Sequence, residues 1–314
     1  MKPPSPSLTV ALTGASGTIG SATLLALQQA GHRVLCITRE DLQTAHSNTS
    51  ANTSANTSAL AERLRREGVQ AVVSCMASRT GTREDAWRVD HDAQQVLLQS
   101  AIQARVQHFV LLSAICVQRP KLVFQEAKLA FEASLRAAPL EWTIVRPTAF
   151  FKSLSGQIKR VAAGKPFLVF GSGTLTACKP ISDRDLASFL VNSLTNPSAR
   201  CAVLPIGGPG PALTPMDQAA ILERVLGRPV RVKRVPPGLL RLVARGLDGL
   251  SLVLPRLAEK AEYARIGHYY ATESMLVWNE ETQRYDADAT PSWGQDRLEE
   301  HYRNLLLSVG SNSS

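Results

Sequence analysis

The chain has 314 residues, 44% of them hydrophobic and 19% charged, with a formal net charge of +9. That length and balance exclude a disordered or fibrous chain and allow one large domain or a domain with a smaller lobe. Lys and Arg are dispersed apart from local clusters around Arg63 to Arg66 and Arg228 to Arg234, without interleaved aromatics. The charge therefore points to a solvated basic surface or a phosphate-bearing ligand and away from nucleic acid.

The five cysteines (Cys36, Cys75, Cys116, Cys178 and Cys201) lack metal-ligand spacing, so they read as reduced structural thiols with no metal. No apolar run reaches the length of a membrane span, and the first strand begins by Leu8 without a secretory or transit pattern. The expected location is cytoplasmic.

Leu8 to Thr13 is an apolar, strand-forming run. A glycine turn from Gly14 to Gly20 follows, then a helical pattern from Ser21 to Ala30, a stop at Gly31 and a second strand from Arg33 to Thr38. That succession is a βαβ unit. Residues 45–59 repeat Asn-Thr-Ser-Ala with almost no large apolar side chain, which predicts a mobile loop where a third strand is expected. Further strands are expected at Val69 to Met76, at His108 to Ala114 with Ser113 near its end, and at Trp142 to Thr148. Helices are expected at Arg88 to Gln103 and Phe124 to Ala137. The alternation predicts an α/β protein, a Rossmann-type doubly wound parallel sheet over residues 1–150. Residues 151–314 are expected to complete the sheet and build a smaller C-terminal substrate lobe. They carry helices at Asp183 to Leu194, Pro215 to Leu226 and Ser292 to Leu307 and a strand at Cys201 to Ile206. The apolar stretch Leu239 to Leu254, interrupted by Arg241, Arg245 and Asp248, fits either a lid over a large flat ligand or an ordinary core helix.

Gly14, Ser16, Gly17, Thr18, Ile19 and Gly20 lie between a strand and a helix. Glycine there allows a tight turn and close approach of backbone N–H groups to a pyrophosphate, with the helix N-terminus adding partial positive charge. At the end of the second strand stands Thr38-Arg39, where an acidic residue would bind the ribose hydroxyls of NAD. A guanidinium suits a 2′-phosphate, so NADPH is the expected cofactor, although Glu40 or Asp41 could compete for Arg39. Lys128, one turn after Phe124, is expected to point to the nicotinamide ribose, and Ser113 to face the same crevice.

These residues resemble the extended and atypical short-chain dehydrogenase/reductases, which carry a Tyr-x-x-x-Lys pair where this chain has Phe124 and Lys128. Longer strings resemble the NADPH-dependent divinyl chlorophyllide 8-vinyl reductases of chlorophyll and bacteriochlorophyll synthesis. They include Phe109-Val-Leu-Leu-Ser-Ala-Ile-Cys-Val-Gln118, Ile144-Val-Arg-Pro-Thr-Ala-Phe-Phe-Lys-Ser-Leu154 and Tyr269-Tyr-Ala-Thr-Glu-Ser-Met275. The resemblance runs from about Leu8 to the final helix and is weakest across Asp41 to Gly68.

It implies reduction of the 8-vinyl group of a Mg-tetrapyrrole, divinyl chlorophyllide or protochlorophyllide, with hydride from NADPH. It also implies Ala77, Pro147, Thr148, Ala149 and Phe150 as cofactor neighbours. Phe151, Lys152, Lys179, Tyr269, Tyr270 and Glu273 are the implied substrate neighbours. Lys128, Ser113 and Phe124 form the reacting site, with at most peripheral contact between a bacterial protein and photosynthetic membranes.

A ketoreductase needs an acid because hydride addition leaves charge on one oxygen, whereas a conjugated macrocycle can hold that charge itself. Bound water, Tyr269, Tyr270, Glu273 and Lys152 remain open as proton sources. The competing reading is a Tyr-less NADPH-binding sensor or regulatory protein. An epimerase is less compatible with the missing tyrosine.

Overall fold

The computed structural model describes residues 7–44, 53–251 and 257–311. The chain forms two compact units, Met1–Arg146 with Leu186–Leu204 and Pro147–Asp185 with Pro205–Ser314. A simple division at residue 150 therefore misses the return of Leu186–Leu204 to the first unit.

In the first unit the strands are β1 (Thr9–Thr13), β2 (Arg33–Ile37), β3 (Ala71–Ser74), β4 (His108–Leu112) and β5 (Glu141–Pro147). The helices of this stretch are α1 (Thr18–Gln29), α2 (Arg39–Thr44), α3 (Thr53–Arg66), α4 (Arg83–Ala86), α5 (Ala93–Gln103) and α6 (Val123–Arg136). One π-helical turn, Trp87–Asp92, joins α4 to α5.

The sheet order is β2-β1-β3-β4-β5, and each of these neighbouring pairs is parallel. The outer strand beside β5 is Ala202–Ile206, which comes later in the chain. Val10, Ala11 and Leu12 of β1 and Phe109 and Val110 of β4 have no exposed surface. That explains their uninterrupted apolar runs, because a parallel sheet is covered on both faces. Leu64, Val72, Leu97, Phe131, Leu135 and Ile144 belong to the same core.

From β1 the chain goes outward to β2 and returns on the other side of β1 as β3. The crevice at this reversal, at the C-terminal ends of the strands, is where open α/β sheets bind ligands.

Residues 53–59, expected as loop, form the first half of α3, and residues 45–52 lie outside the described residues. The apolar side chains that begin at position 60 supply the burial that organises this helix: Leu60 is 6% exposed, Ala61 2% and Leu64 0%. No strand lies beyond β2 among the described residues.

The second unit contains α7 (Phe151–Leu154), α8 (Ile158–Ala162) and β6 (Phe167–Phe170), and then α9 (Asp183–Thr195), which crosses into the first unit. After β7 (Ala202–Ile206) come α10 (Pro215–Leu226), β8 (Val232–Val235), α11 (Gly238–Ser251) and α12 (Leu257–Thr272). The hairpin β9 (Val277–Asn279) and β10 (Arg284–Asp286) and the last helix, α13 (Leu298–Ser311), complete it. β6 and β8 pair in parallel. Phe151, Val161, Phe167, Leu222 and Tyr302 build this unit's own core. Thr214 starts α10 by a reciprocal cap: its Oγ1 accepts from Asp217 N–H, and Asp217 Oδ2 accepts from Thr214 N–H at 2.8 Å.

Candidate active site

The glycine turn is built by close backbone approach. Gly14 has φ +75°, and a Cβ there would lie 2.7 Å from the Cys75 carbonyl carbon and oxygen. A Cβ on Gly20 would lie 1.9 Å from the Gly14 carbonyl oxygen. Both positions therefore require glycine, one to let the turn touch β3's end and the other to let α1 start directly behind the turn. Gly17 N–H donates to Gly14 O at 2.9 Å. Gly17 is also the N-cap of α1, and it supplies no capping side chain; the first turn of α1 contains no acidic residue. The helix thus presents its dipole to the crevice unopposed, as an anion site requires.

A cavity of about 400 Å³ lies over this turn. Gly14, Ser16 and Gly17 line it from the turn, Thr38 and Arg39 from the end of β2, and Met76 and Ala77 from the end of β3. Leu42 and Val89 give it an apolar wall fit for an adenine ring. Three arginines reach it: Arg39, Arg79 and Arg88. Desolvation pushes the Cys75 thiol in the wall up to about 12, against a smaller opposite pull from its contact with Thr23, so this cysteine stays neutral. The residues present fit a dinucleotide: glycines where a Cβ would collide, an uncapped helix start, and guanidinium groups at the rim.

Asp41 does not compete for Arg39. Its Oδ2 accepts from Thr38 N–H at 2.7 Å and from Thr38 Oγ1–H at 2.9 Å, and its Oδ1 pairs with Arg63 at 2.7 Å. The carboxylate closes the β2–α2 turn and turns away from the arginine before it. Arg39 is exposed and has no ion pair among the described residues. Arg79 and Arg88 were not legible as site residues, because their place in the rim depends on the fold of the β3–α4 loop. There Asp85 accepts from the backbone N–H groups of Arg79 and Thr80 at 2.7 and 2.9 Å and pairs with Arg88 at 2.9 Å.

Phe124, Lys128 and Glu132 share one face of α6 at fourfold spacing. Lys128 Nζ donates to Asp90 Oδ1 at 2.9 Å, with the lysine side chain 11% exposed and the aspartate fully buried. Ser113, 5% exposed just past β4, donates its hydroxyl to Glu132 Oε1 at 2.6 Å. Arg146 closes on the same Glu132 carboxylate, and Arg136 stands 3.4 Å away. Ser113 therefore has its proton directed to Glu132, and neither Ser113, Phe124 nor Lys128 is among the residues that line the cavity over the glycine turn. Phe124 is half-buried. Thr18, Ile19 and Gly20 form the first turn of α1 behind the cavity lining.

The remaining candidates lie in the second unit. Pro147 closes β5. Thr148 donates its N–H to Ile206 O at 2.9 Å and its hydroxyl to Lys179 O. Ala149 accepts from Ile181 N–H at 2.9 Å, and Phe150 bridges Ile181. Phe151 is a core residue, 4% exposed and 5.3 Å from the His301 ring. Lys152 is exposed. Lys179 Nζ donates to Thr290 O at 2.8 Å, and Glu273 accepts from Tyr285 O–H at 2.5 Å. Tyr269 is buried and meets the exposed Tyr270 edge to face at 5.6 Å.

Of the apolar Leu239 to Leu254 stretch, residues 239–251 are helical and residues 252–254 lie outside the described residues. Leu239, Leu242 and Val243 are exposed and only Ala244 is buried among its described side chains, so it is not a core helix.

A family described as NAD(P)H-binding matches residues 14–197. The divinyl chlorophyllide a 8-vinyl-reductase of Zea mays is 43% identical over 96% of this chain and 80% of its own length. That of Arabidopsis thaliana is 46% identical over 76% of this chain and 59% of its own. Among solved structures, an NADPH-dependent quinone oxidoreductase of Escherichia coli complexed with NADPH has a TM-score of 0.65 at 15% identity, covering 95% of this chain and 99% of that one. This structural likeness bears on the fold.

The plant relatives are chloroplastic by name, which overturns the expected cytoplasmic, bacterial location; the start of the chain does not identify its compartment. The chain belongs to the divinyl chlorophyllide a 8-vinyl-reductase family, NADPH-dependent oxidoreductases on a Rossmann-type fold.

Proposed function

We propose that the chain reduces the 8-vinyl group of a divinyl tetrapyrrole, chlorophyllide a or protochlorophyllide a, to ethyl. The observation that carries this reading is the pairing of a dinucleotide cavity, rimmed by Arg39, with a Lys128 that has Phe124 in place of a phenol one turn earlier. NADPH supplies the hydride when bound. The glycine turn and the start of α1 hold its pyrophosphate, Arg39 its 2′-phosphate with Arg79 beside it, and Lys128 its nicotinamide ribose.

Hydride adds to the terminal vinyl carbon, which leaves the negative charge on the carbon attached to the ring. Conjugation spreads that charge over the macrocycle, so no phenol is needed at position 124 to neutralise an oxyanion. Protonation of the inner carbon completes the ethyl group. Ser113 directs its own proton to Glu132, and Glu273 is engaged by Tyr285; this reading takes water, ahead of Tyr269, Tyr270 and Lys152, as the proton source.

On α11, Leu239, Leu242 and Val243 are exposed beside the exposed Arg241 and Arg245. This supports weak contact with an anionic membrane surface, where pigment substrates partition.

The direct test is purified protein with NADPH and divinyl chlorophyllide a, the products separated by chromatography. An 8-ethyl product is expected. Intact NADPH binding without that product would favour the sensor reading.

A further inference from the structure

We propose that Asp90 is a positioning residue for the reduction: a buried anion that holds Lys128 at the nicotinamide ribose. The proposal rests on the reading of Lys128 given above.

Asp90 lies in the π-helical turn Trp87–Asp92. Such a turn holds one residue more than an α-helical turn, and short π segments concentrate at functional sites. Here the turn presents two faces. Arg88 and Val89 line the cofactor cavity, while Asp90 is 2% exposed and faces inward.

Its carboxylate accepts three hydrogen bonds. Lys128 Nζ donates to Oδ1 at 2.9 Å, Ser78 N–H to Oδ1 at 3.2 Å, and the Ser78 hydroxyl to Oδ2 at 2.6 Å. Ser78 lies between Ala77 and Arg79, both in the cavity wall. One carboxylate thus fixes the lysine on α6 to the loop that follows β3.

A buried carboxylate without a charge partner is strongly unfavourable, so Asp90 and Lys128 require each other. The ion pair uses one of the three ammonium protons and leaves two for ribose hydroxyls. It also offsets the lysine's charge. In a Tyr-x-x-x-Lys enzyme that charge serves the adjacent phenol, whereas in this chain Phe124 has no hydroxyl to serve.

The test measures dissociation constants for NADPH and for adenosine 2′,5′-bisphosphate, which carries the adenosine half of the cofactor and lacks the nicotinamide ribose. The variants are Asp90→Asn, Lys128→Met and the double substitution. Asn at position 90 retains an acceptor for Ser78 and removes the charge that holds Lys128. Asp90→Asn is expected to weaken NADPH about tenfold, as for loss of a hydrogen bond to a charged group, and to leave the bisphosphate within about twofold. Lys128→Met leaves the Asp90 anion uncompensated, so NADPH binding should be weaker in that single variant than in the double variant. A merely structural role moves both ligands together and makes the double variant the worst.

Equal losses for both ligands in Asp90→Asn, or unchanged NADPH affinity, would overturn the proposal. If Lys128→Met itself leaves the ratio of the two affinities at the wild-type value, the reading of Lys128 fails first and the proposal with it. If Lys128→Met shifts the ratio and Asp90→Asn does not, the Asp90 role alone is wrong.

Discussion

In the proposed function, Arg39 and Phe124 are the two residues on which cofactor and chemistry turn. Arg39 stands at the rim of the cavity with Asp41 drawn away to Thr38 and Arg63. Arg39→Asp should raise the Michaelis constant for NADPH about 10- to 100-fold, the cost of losing a charge-assisted contact, and leave that for NADH much less changed. Steady-state kinetics with each nucleotide checks this, and equal effects on both would remove Arg39 from the 2′-phosphate. Phe124→Tyr restores the phenol that ketoreductases use. If the macrocycle holds the charge, turnover of the divinyl pigment should not rise. A large gain would mean that the wild-type site is short of an acid.

At the scale of elements, the β1–turn–α1 unit and the β4–β5 region each carry a measurable consequence. Gly20→Ala places a methyl group against the Gly14 carbonyl, a backbone atom that cannot yield cheaply. The expected cost is about 3 kcal/mol, at the upper end for overpacking, with NADPH binding lost as α1 is displaced. Urea unfolding and cofactor titration read the two effects separately.

His108 on β4 is 2% exposed and meets Thr143 Oγ1 at 2.8 Å, while Thr143 donates to Ala199 O at 2.6 Å. Thr143 must then accept from the Nε2 proton, and Nδ1 is left as a buried nitrogen without a hydrogen-bond partner. Burial, aided by the nearby Arg200 charge, lowers the His108 pKa to about 3 from an ordinary value of 6.5. The unfolded chain therefore binds this proton at a pH where the folded chain does not. Stability is full above about pH 6.5 and declines as pH falls toward 3. From pH 7 to pH 5 the loss should be on the order of 2 kcal/mol, and His108→Gln should flatten that part of the profile. An unchanged slope in that variant would mean that other groups set the acid limb.

The glycine turn, the strand ends and the Phe124–Lys128 pair were legible in the sequence, because each follows from local spacing. Asp90, Arg79 and Arg88 were not. Their roles depend on a π turn and a loop fold that no periodicity marks, and a single buried Asp in a helical pattern looks like a polar face. Residues 53–59 misled for a related reason: their composition suits a loop, and the burial that makes them helical begins with Leu60.

The whole molecule joins a parallel sheet with a cofactor cavity at its strand reversal to a second unit with its own core. In the proposed function, hydride passes from NADPH to a vinyl carbon without a tyrosine acid. The most direct measurement uses NADPH deuterated at both C4 positions, with divinyl chlorophyllide a in ordinary water, and locates the label in the product by NMR. One deuterium should appear on the terminal methyl carbon of the new ethyl group, with the inner carbon carrying a proton from solvent. Label on the inner carbon, or an 8-ethyl product without label, would contradict it.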